Sequence, residues 1–199
     1  MDHLVDIWGT APDDVWAVGG QNPGLSHTIV HWDGTAWSVS LTARGNQPLS
    51  SVWGSAPNDV WVGGPGLLLH WNGTAWADTG VLTAGTSVSA LWGSAADDVW
   101  GVSGAYDMAS GGYVGVTLHY DGGTWSSTPT NIPGAFAAVW GTGARDVWAV
   151  SGSGASAHFD GSAWTHEPTG AALGLSGVWA TSHEVWAVGE DGAILRRQR

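Results

Sequence analysis

Residues 52–76 read VWGSAPNDVWVGGPGLLLHWNGTAW and contain four landmarks that recur along the chain. The landmarks are Val-Trp-Gly at 52–54, Asp-Val-Trp at 59–61, His-Trp at 70–71 and a further Trp at 76. The first landmark recurs at Trp8, Trp53, Trp92, Trp140 and Trp179, with spacings of 45, 39, 48 and 39 residues. Periods of this size indicate a solenoid, a propeller or an array of small units.

Each repeat predicts four short antiparallel strands. In the second repeat the first three strands are expected at 49–54, 59–63 and 67–71, the fourth carries Trp76, and Pro-Asn and Asn-Gly turns separate them. The second strand is apolar on both sides, so both of its faces must be covered. Blades stacked around an axis provide that cover and a two-sheet sandwich does not. The sequence therefore predicts an all-β fold, a five-bladed β-propeller with four-stranded antiparallel blades.

The fifth repeat is shorter and supplies three predicted strands. Arg196 to Arg199 stand where the other repeats have His-aromatic-Asp-Gly. One domain of residues 1–199 is predicted, with blades at approximately 1–45, 46–86, 87–132, 133–172 and 173–199. A monomer with a three-stranded last blade is expected. Strand complementation between two chains, or membership of a longer propeller, stays open at this stage.

The repeated string resembles a known group of proteins. Trp-Gly-(Ser/Thr)-Ala-Pro-(Asn/Asp)-Asp-Val-Trp, followed by His-Trp-(Asp/Asn)-Gly-Thr-Ala-Trp, looks like the tryptophan-rich β-propeller repeats of bacterial surface and secreted proteins. The resemblance covers nearly the whole chain. It implies an extracellular, cell-surface or periplasmic location, although no signal peptide is recognisable in this sequence. Five copies are also similar to the five-bladed tachylectin-type lectins, in architecture only.

Composition narrows the classes of function. The chain has 17 acidic residues and a formal net charge of −12, which disfavours nucleic acid and anionic membrane surfaces as partners. Cysteine is absent, so there is no thiolate nucleophile or thiolate metal site. No apolar run approaches the roughly 18 residues of a membrane-spanning helix, so membrane insertion is not expected. No cofactor or metal is predicted.

The Asp-Gly-x-x-Trp hairpins, of which residues 121–125 are the nearest, look like the Asp-box of bacterial sialidases, which is a folding motif. Sialidases grip the substrate carboxylate with three arginines, whereas the body of this chain has only Arg44 and Arg145. Sialidase activity is therefore excluded, and the sequence contains no nucleophile elbow, phosphate loop or local carboxylate pair. No catalytic residue is predicted.

Most repeated side chains are expected to be structural. The structural set comprises Trp8, Trp16, Trp53, Trp61, Trp92, Trp100, Trp140, Trp148, Trp179, Trp186, His31, His70, His119 and His158. Each His is expected to bond to a backbone group or to one of the repeated acidic residues Asp14, Asp59, Asp98, Asp146 and Glu184. A ring of imidazoles binding metal is the less favoured interpretation, since third strands lie far from each other.

The functional signal is expected where the repeats differ. The interval from the Asp-Val-Trp tryptophan to the third-landmark aromatic is 16, 10, 20 and 11 residues in the first four repeats. The insertions predict long loops at 20–28 and 103–117, on the side of a propeller that often binds ligands. The candidate ligand-binding residues are Gln21, Asn22, His27, Tyr106, Asp107 and Tyr113, with Arg44 and Asn46 from a blade connection on the same side.

Three functions remain open from the sequence. The favoured one is a non-enzymatic module that binds a protein through the loop-decorated face. A carbohydrate-binding lectin is the alternative, because tyrosine rings with amide and carboxylate groups suit sugars. A glycoside-processing enzyme is the minor alternative.

Overall fold

A computed structural model describes residues 3–21, 26–44, 48–82, 86–170 and 172–199. Of Gln21, Ser26, Ala43 and Arg44 only the backbone is described. Within these ranges the chain forms four antiparallel sheets of four strands and one of three. This confirms the predicted all-β class, the four-stranded blades of a five-bladed propeller and the three-stranded fifth blade. The chain divides into two compact units, 1–91 and 92–199, so its assignment to one domain stays a prediction.

Unit 1 contains the first two blades. The first blade, in the order β1-β2-β3-β4, consists of β1 (His3–Ala11), β2 (Asp14–Gln21), β3 (Ser26–Trp32) and β4 (Trp37–Arg44). The second, in the order β5-β6-β7-β8, consists of β5 (Ser51–Ala56), β6 (Asp59–Gly64), β7 (Leu67–Trp71) and β8 (Trp76–Asp78). The first strand of this blade begins two residues later than predicted. Leu49 instead donates its N–H to the Gly19 carbonyl of the first blade, at 3.1 Å.

The other three blades follow the same strand order. The third consists of β9 (Ala90–Ala95), β10 (Asp98–Asp107), β11 (Gly112–Tyr120) and β12 (Trp125–Pro133). The fourth consists of β13 (Phe136–Gly143), β14 (Asp146–Ser151), β15 (Ser156–Phe159) and β16 (Trp164–Glu167). The fifth consists of β17 (Leu175–Ala180), β18 (Glu184–Gly189) and β19 (Ile194–Gln198), with a 3₁₀ turn at Glu190–Gly192 before the last strand.

A repeated turn closes the hairpin between the third and fourth strands. In the first blade Asp33 Oδ1 accepts hydrogen bonds from the N–H groups of Thr35 and Ala36, at 2.8 and 2.9 Å, and from the Thr35 hydroxyl. Gly34 has φ +91°, which L side chains rarely adopt. The Thr35 hydroxyl and these N–H groups lower the pKa of Asp33 to about 2. Asn72, Asp121 and Asp160 accept equivalent bonds in the next three blades.

Aromatic side chains hold neighbouring blades together. Trp16 of the first blade contacts Trp71 and Trp76 of the second, with ring centroids 5.7 and 5.5 Å apart. Trp100 of the third blade contacts Phe159 and Trp164 of the fourth at 4.8 and 5.4 Å. The aromatics of the third and fourth landmarks therefore pack onto the second-landmark tryptophan of the preceding blade.

The same packing explains the Gly of the Trp-Gly landmark. A Cβ atom on Gly54 would lie 2.8 Å from the ring of Trp8 in the preceding blade, and one on Gly141 would overlap the Trp92 ring. The fifth blade has Ala180 at this position, and there the Trp140 Nε1–H donates to the Ala180 carbonyl at 3.2 Å. Glycine is thus needed where a tryptophan ring of one blade contacts the first strand of the following blade.

Arginines replace the aromatic pair in the fifth blade. The guanidinium groups of Arg197 and Arg199 each lie 5.7 Å from the centroid of the Trp148 ring of the fourth blade. Arg197 also pairs with Glu167, and Arg199 pairs with Asp146. These contacts fasten the short blade to its neighbour by cation–π attraction and ion pairing.

The predicted long loops are mainly strand. β10 and β11 pair continuously from Val99↔Tyr120 to Asp107↔Gly112, so 103–117 is a hairpin with a turn at 108–111. β2 and β3 pair as far as Gln21↔Ser26, and β4 continues to Arg44 opposite Ser26. The loop prediction was wrong for these residues, because the inserted segments extend existing ladders and satisfy their backbone groups there.

The packing predicts unequal costs for two tryptophan substitutions in the first blade. Trp16 is 2% exposed and Trp37 is 49% exposed. We expect Trp16→Ala to lower the free energy of unfolding by about 3–5 kcal/mol, because it opens a cavity between two blades. Trp37→Ala is the matched control and should cost about 1 kcal/mol or less. Urea denaturation followed by circular dichroism measures both, and equal losses would contradict this account of the packing.

Candidate functional site

A carboxylate binds a hydroxyl and an imidazole in each four-stranded blade, and in the first and fourth blades it also accepts a tryptophan N–H. In the first blade Asp14 Oδ1 accepts hydrogen bonds from His31 Nε2 at 2.7 Å and from Trp16 Nε1 at 3.2 Å. The Thr10 hydroxyl donates to Asp14 Oδ2. The His31 ring stacks on Trp16 with centroids 4.1 Å apart. Three strands of one blade are thereby tied together by one buried aspartate.

The arrangement recurs in the next three full blades. The His Nε2–Asp Oδ1 distances are 2.6 Å for His70–Asp59, 2.7 Å for His119–Asp98 and 2.8 Å for His158–Asp146. The hydroxyls of Ser55, Ser94 and Thr142 donate to the same three aspartates. In the fifth blade Arg196 takes the place of His, donating to Glu184 at 2.7 Å above the Trp186 ring. The aspartates predicted as partners of the histidines are thus the ones bonded to them.

This arrangement differs from a nucleophilic triad. In a Ser-His-Asp triad the hydroxyl donates to the imidazole, which donates to the carboxylate. Here hydroxyl and imidazole both donate to the carboxylate, so the imidazole is not placed to take the hydroxyl proton. The sequence reasoning missed the hydroxyl, although the signal was present as the Ser or Thr that follows each Trp-Gly.

Asp146, at the junction of the fourth and fifth blades, accepts hydrogen bonds from Thr142, Trp148, His158 and Arg199. Partial burial by itself would raise its pKa, but hydrogen bonds from Arg199, Thr142 and His158 outweigh burial and lower the pKa to about 2. Burial likewise opposes the hydrogen bonds at Asp14, whose pKa is lowered by Thr10 and His31. Both carboxylates are therefore ionised at neutral pH.

The hairpin of β10 and β11 presents two predicted site residues together. Tyr106 and Tyr113 are cross-strand partners whose rings meet edge to face, with centroids 5.6 Å apart and planes at 79°. They are 59% and 58% exposed, an unusual exposure for paired aromatics. The pair forms a rigid surface with apolar ring faces and polar hydroxyls.

Small residues create a groove beside Tyr113. The groove has a volume of about 400 Å³ and is lined by Tyr113, Gly134, Ala135, Gly152 and Ser153. A Cβ on Gly134 would collide with the Ser153 hydroxyl, and Gly134 has φ +85°. The sequence reasoning missed these four neighbours of Tyr113, because they lie in the connections into and within the fourth blade. Their only signal in the sequence is that a small residue follows Gly in two dipeptides, Gly134-Ala135 and Gly152-Ser153.

Asp107 has a structural part in the same hairpin. Its carboxylate accepts the N–H groups of Ala109 and Ser110 at 3.0 Å. Hydrogen bonds from the Ser110 side chain and from these N–H groups lower its pKa. The carboxylate thus holds the turn that carries the tyrosine pair.

The remaining predicted site residues lie in or near the first blade. His27 is 8% exposed, and its backbone lies between Gly20 and Ala43 in the sheet, so it is buried rather than presented to a ligand. His27 lies in a strand because β3 begins at Ser26, inside the segment that was predicted to be a loop. The backbones of Gln21 and Arg44 both lie beside Ser26. Asn22 and Asn46 lie outside the described residues.

Within the described ranges, no group of three or more His, Asp or Glu side chains is placed to hold a metal ion. In the same residues there is no helix with the length and apolar character needed to cross a bilayer.

The fold is similar to that of solved β-propellers. The WD40 β-propeller domain of Doa1 aligns with a TM-score of 0.71 and 11% identity, over 99% of this chain and 65% of that chain. The Cps50 (Swd1) β-propeller domain of Myceliophteria thermophila aligns with a TM-score of 0.65 and 11% identity, over 96% and 64%. YCF48 bound to D1 peptide aligns with a TM-score of 0.50 and 16% identity, over 99% and 78%.

At these identities the likeness shows the fold alone. The chain spans less than two thirds of the length of the Doa1 and Cps50 (Swd1) domains. No protein-family model and no curated protein matches the sequence.

The lowered pKa of Asp146 predicts a pH dependence of stability. Its pKa is about 2 when folded and near the usual 3.8 of an aspartate when unfolded, so the unfolded chain binds the proton more tightly. The stabilisation is therefore complete above about pH 5 and is lost as the pH falls through the folded pKa. We expect the free energy of unfolding of Asp146→Asn to fall less than that of the wild type as the pH is lowered. The control Asp97→Asn, at an exposed site, should show the same pH dependence as the wild type. Denaturation between about pH 5 and pH 2 measures this, and an unchanged slope for Asp146→Asn is the opposing result.

Proposed function

We propose that this protein is a non-enzymatic binding module that recognises another protein through the hairpin of β10 and β11. The observation that carries the proposal is the exposed pair Tyr106 and Tyr113 beside a groove of small residues. Aromatic anchors next to a pocket are the typical energetic centre of a protein interface. Tyrosine adds contact area at a small entropic cost, since it has only two side-chain torsions.

Three observations support a binding role over catalysis. In each four-stranded blade the hydroxyl and the imidazole both donate to the carboxylate, an arrangement that serves packing. Asp107, the acidic residue nearest the tyrosine pair in sequence, is bonded to its own turn. YCF48, a propeller of similar fold, is described as bound to D1 peptide, which illustrates peptide binding on such a scaffold.

We also propose that the chain belongs with the tryptophan-rich bacterial surface repeats and works outside the cytoplasm. The support is the recurring Trp-Gly…Asp-Val-Trp…His-Trp-Asp-Gly string over nearly its full length.

A lectin is the second candidate. Sugars bind through stacking on aromatic faces, and the exposed rings of Tyr106 and Tyr113 offer such faces. The pair occurs once among the described residues of the blades, whereas a repeated site is usual for lectin propellers. The single asymmetric site favours a protein ligand.

The test selects ligands and then asks whether they use the tyrosine pair. A random peptide library displayed on phage is selected against the immobilised protein, and a glycan array is probed in parallel. We expect selected peptides whose dissociation constants rise at least about tenfold for the Tyr106→Ala/Tyr113→Ala double variant, since each ring contributes buried apolar area. The control Leu173→Ala, at another exposed apolar residue of unit 2, should leave affinity unchanged.

The outcomes separate the two candidates. Glycan binding that the double variant abolishes, without peptide binding, would replace the protein ligand by a sugar. Peptides that bind the double variant as well as the wild type would place the site elsewhere.

A further inference from the structure

Acidic side chains lie at one end of the groove beside Tyr113. A Cβ atom on Gly174 would lie 2.6 Å from the carbonyl oxygen of Gly152, which lines this groove, and 3.1 Å from Glu190 Oε1. The Gly174 N–H donates to Glu190 Oε2 at 3.3 Å, and the Glu190 N–H donates to the Gly174 carbonyl at 2.9 Å. These bonds hold the Glu190 carboxylate next to the groove, and the exposed Asp191 follows it in the chain.

Backbone contacts give the order of the groups along this surface. The Tyr113 carbonyl accepts the Gly134 N–H at 2.7 Å, and the Ala135 carbonyl accepts the Gly152 N–H at 3.3 Å. The surface therefore begins at the tyrosine pair, crosses the small residues of the groove and ends at Glu190. It is formed by the third, fourth and fifth blades, which all belong to unit 2.

The two carboxylates are not neutralised by arginines of unit 2. The chain contains no lysine. The three arginines of β19 pair with other carboxylates, namely Glu184, Glu167 and Asp146. Arg145 precedes β14, at the end of that strand remote from Ser151. In the described part of unit 2, Glu190 and Asp191 thus have no arginine partner.

A third carboxylate flanks the tyrosine pair on its other side. Asp107 follows Tyr106, and hydrogen bonds from the Ser110 side chain and from turn N–H groups lower the pKa of Asp107, so it is ionised at neutral pH. Lysine and arginine are attracted both to carboxylates and to the faces of tyrosine rings. An anionic ligand would be repelled by the same three carboxylates.

From this geometry we infer that the partner of the tyrosine site is a cationic polypeptide segment. An apolar side chain of that segment packs on Tyr106 and Tyr113, and a lysine or arginine a few residues away pairs with Glu190 and Asp191. The inference rests on the proposed function and adds to it the charge of the ligand. The apolar anchor supplies affinity, whereas the charge pairing selects among partners and speeds their association.

The peptides selected on phage in the test of the proposed function are the probe. Among those that lose affinity for the Tyr106→Ala/Tyr113→Ala double variant, we expect lysine and arginine to be at least about twofold more frequent than in the unselected library, because charge complementarity supplies specificity. Aspartate and glutamate should be rarer than in the unselected library.

A neutralised variant then locates the charge pairing. One selected peptide is labelled with fluorescein, and its binding to the 199-residue protein is measured by fluorescence anisotropy. Glu190→Gln/Asp191→Asn keeps the acceptor for the Gly174 N–H, and asparagine tolerates the φ of +52° at position 191. We expect its dissociation constant to be about threefold to tenfold higher, since exposed ion pairs are individually weak.

The matched control removes the same charge elsewhere. Asp13→Asn/Asp97→Asn alters two exposed carboxylates in the turns between first and second strands, and it should bind as the wild type does. A peptide with its lysine and arginine residues replaced by glutamine should bind the wild type more weakly. The neutralised variant should not weaken that peptide further, because the interacting charges are already absent.

The outcomes separate this inference from the proposed function. Tyrosine-dependent peptides without an excess of basic residues would overturn the inference alone. Equal losses in the neutralised variant and its control, or no loss in either, would do the same. A selection that returns no tyrosine-dependent peptide contradicts the proposed function and this inference together.

Discussion

One hydrogen-bonded carboxylate in each full blade is the interaction on which the rest of the structure depends. Asp14 and its counterparts accept a hydroxyl from the first strand and an imidazole from the third, and so fix the relative positions of three strands. The imidazole then supports one face of Trp16, whose ring contacts the aromatic pair of the next blade. A polar network inside the blade thereby orients the apolar contact between blades.

In the fifth blade, arginines make the contact with the preceding blade that aromatic side chains make elsewhere. Arg197 and Arg199 meet Trp148 where aromatic rings would otherwise lie, and Glu167 and Asp146 neutralise them. Guanidinium groups are planar, stack on aromatic faces and keep their hydrogen-bond donors directed at carboxylates. They cover Trp148, and a groove lies beside Leu195. The substitution therefore preserves the attachment between the fourth and fifth blades.

Much of the local structure was predictable because it depends on short-range chemistry. The Asp-Gly hairpins follow from the side-chain acceptor at Asp33 and the positive φ of Gly34. The pairing of Trp71 with Trp76 on one face follows from the alternation of side chains along strands. The inserted segments were misjudged as loops because the prediction used only the interval between landmarks, which does not record strand pairing. Their strand pairing depends on a partner segment that continues alongside them, as Val114 does opposite Ala105.

The sequence by itself determined the repeat, the number of blades, the short fifth blade and the identity of the residues that pack it, because each of these depends on recurring local patterns. Tertiary structure decided which exposed side chains share a surface. It brought Tyr113 beside Ser153, forty residues away, and opened a groove between β14 and β19. It also buried His27, which the spacing of the repeats placed on a long loop. Surfaces between blades arise from strands distant in sequence, so no local pattern records their shape.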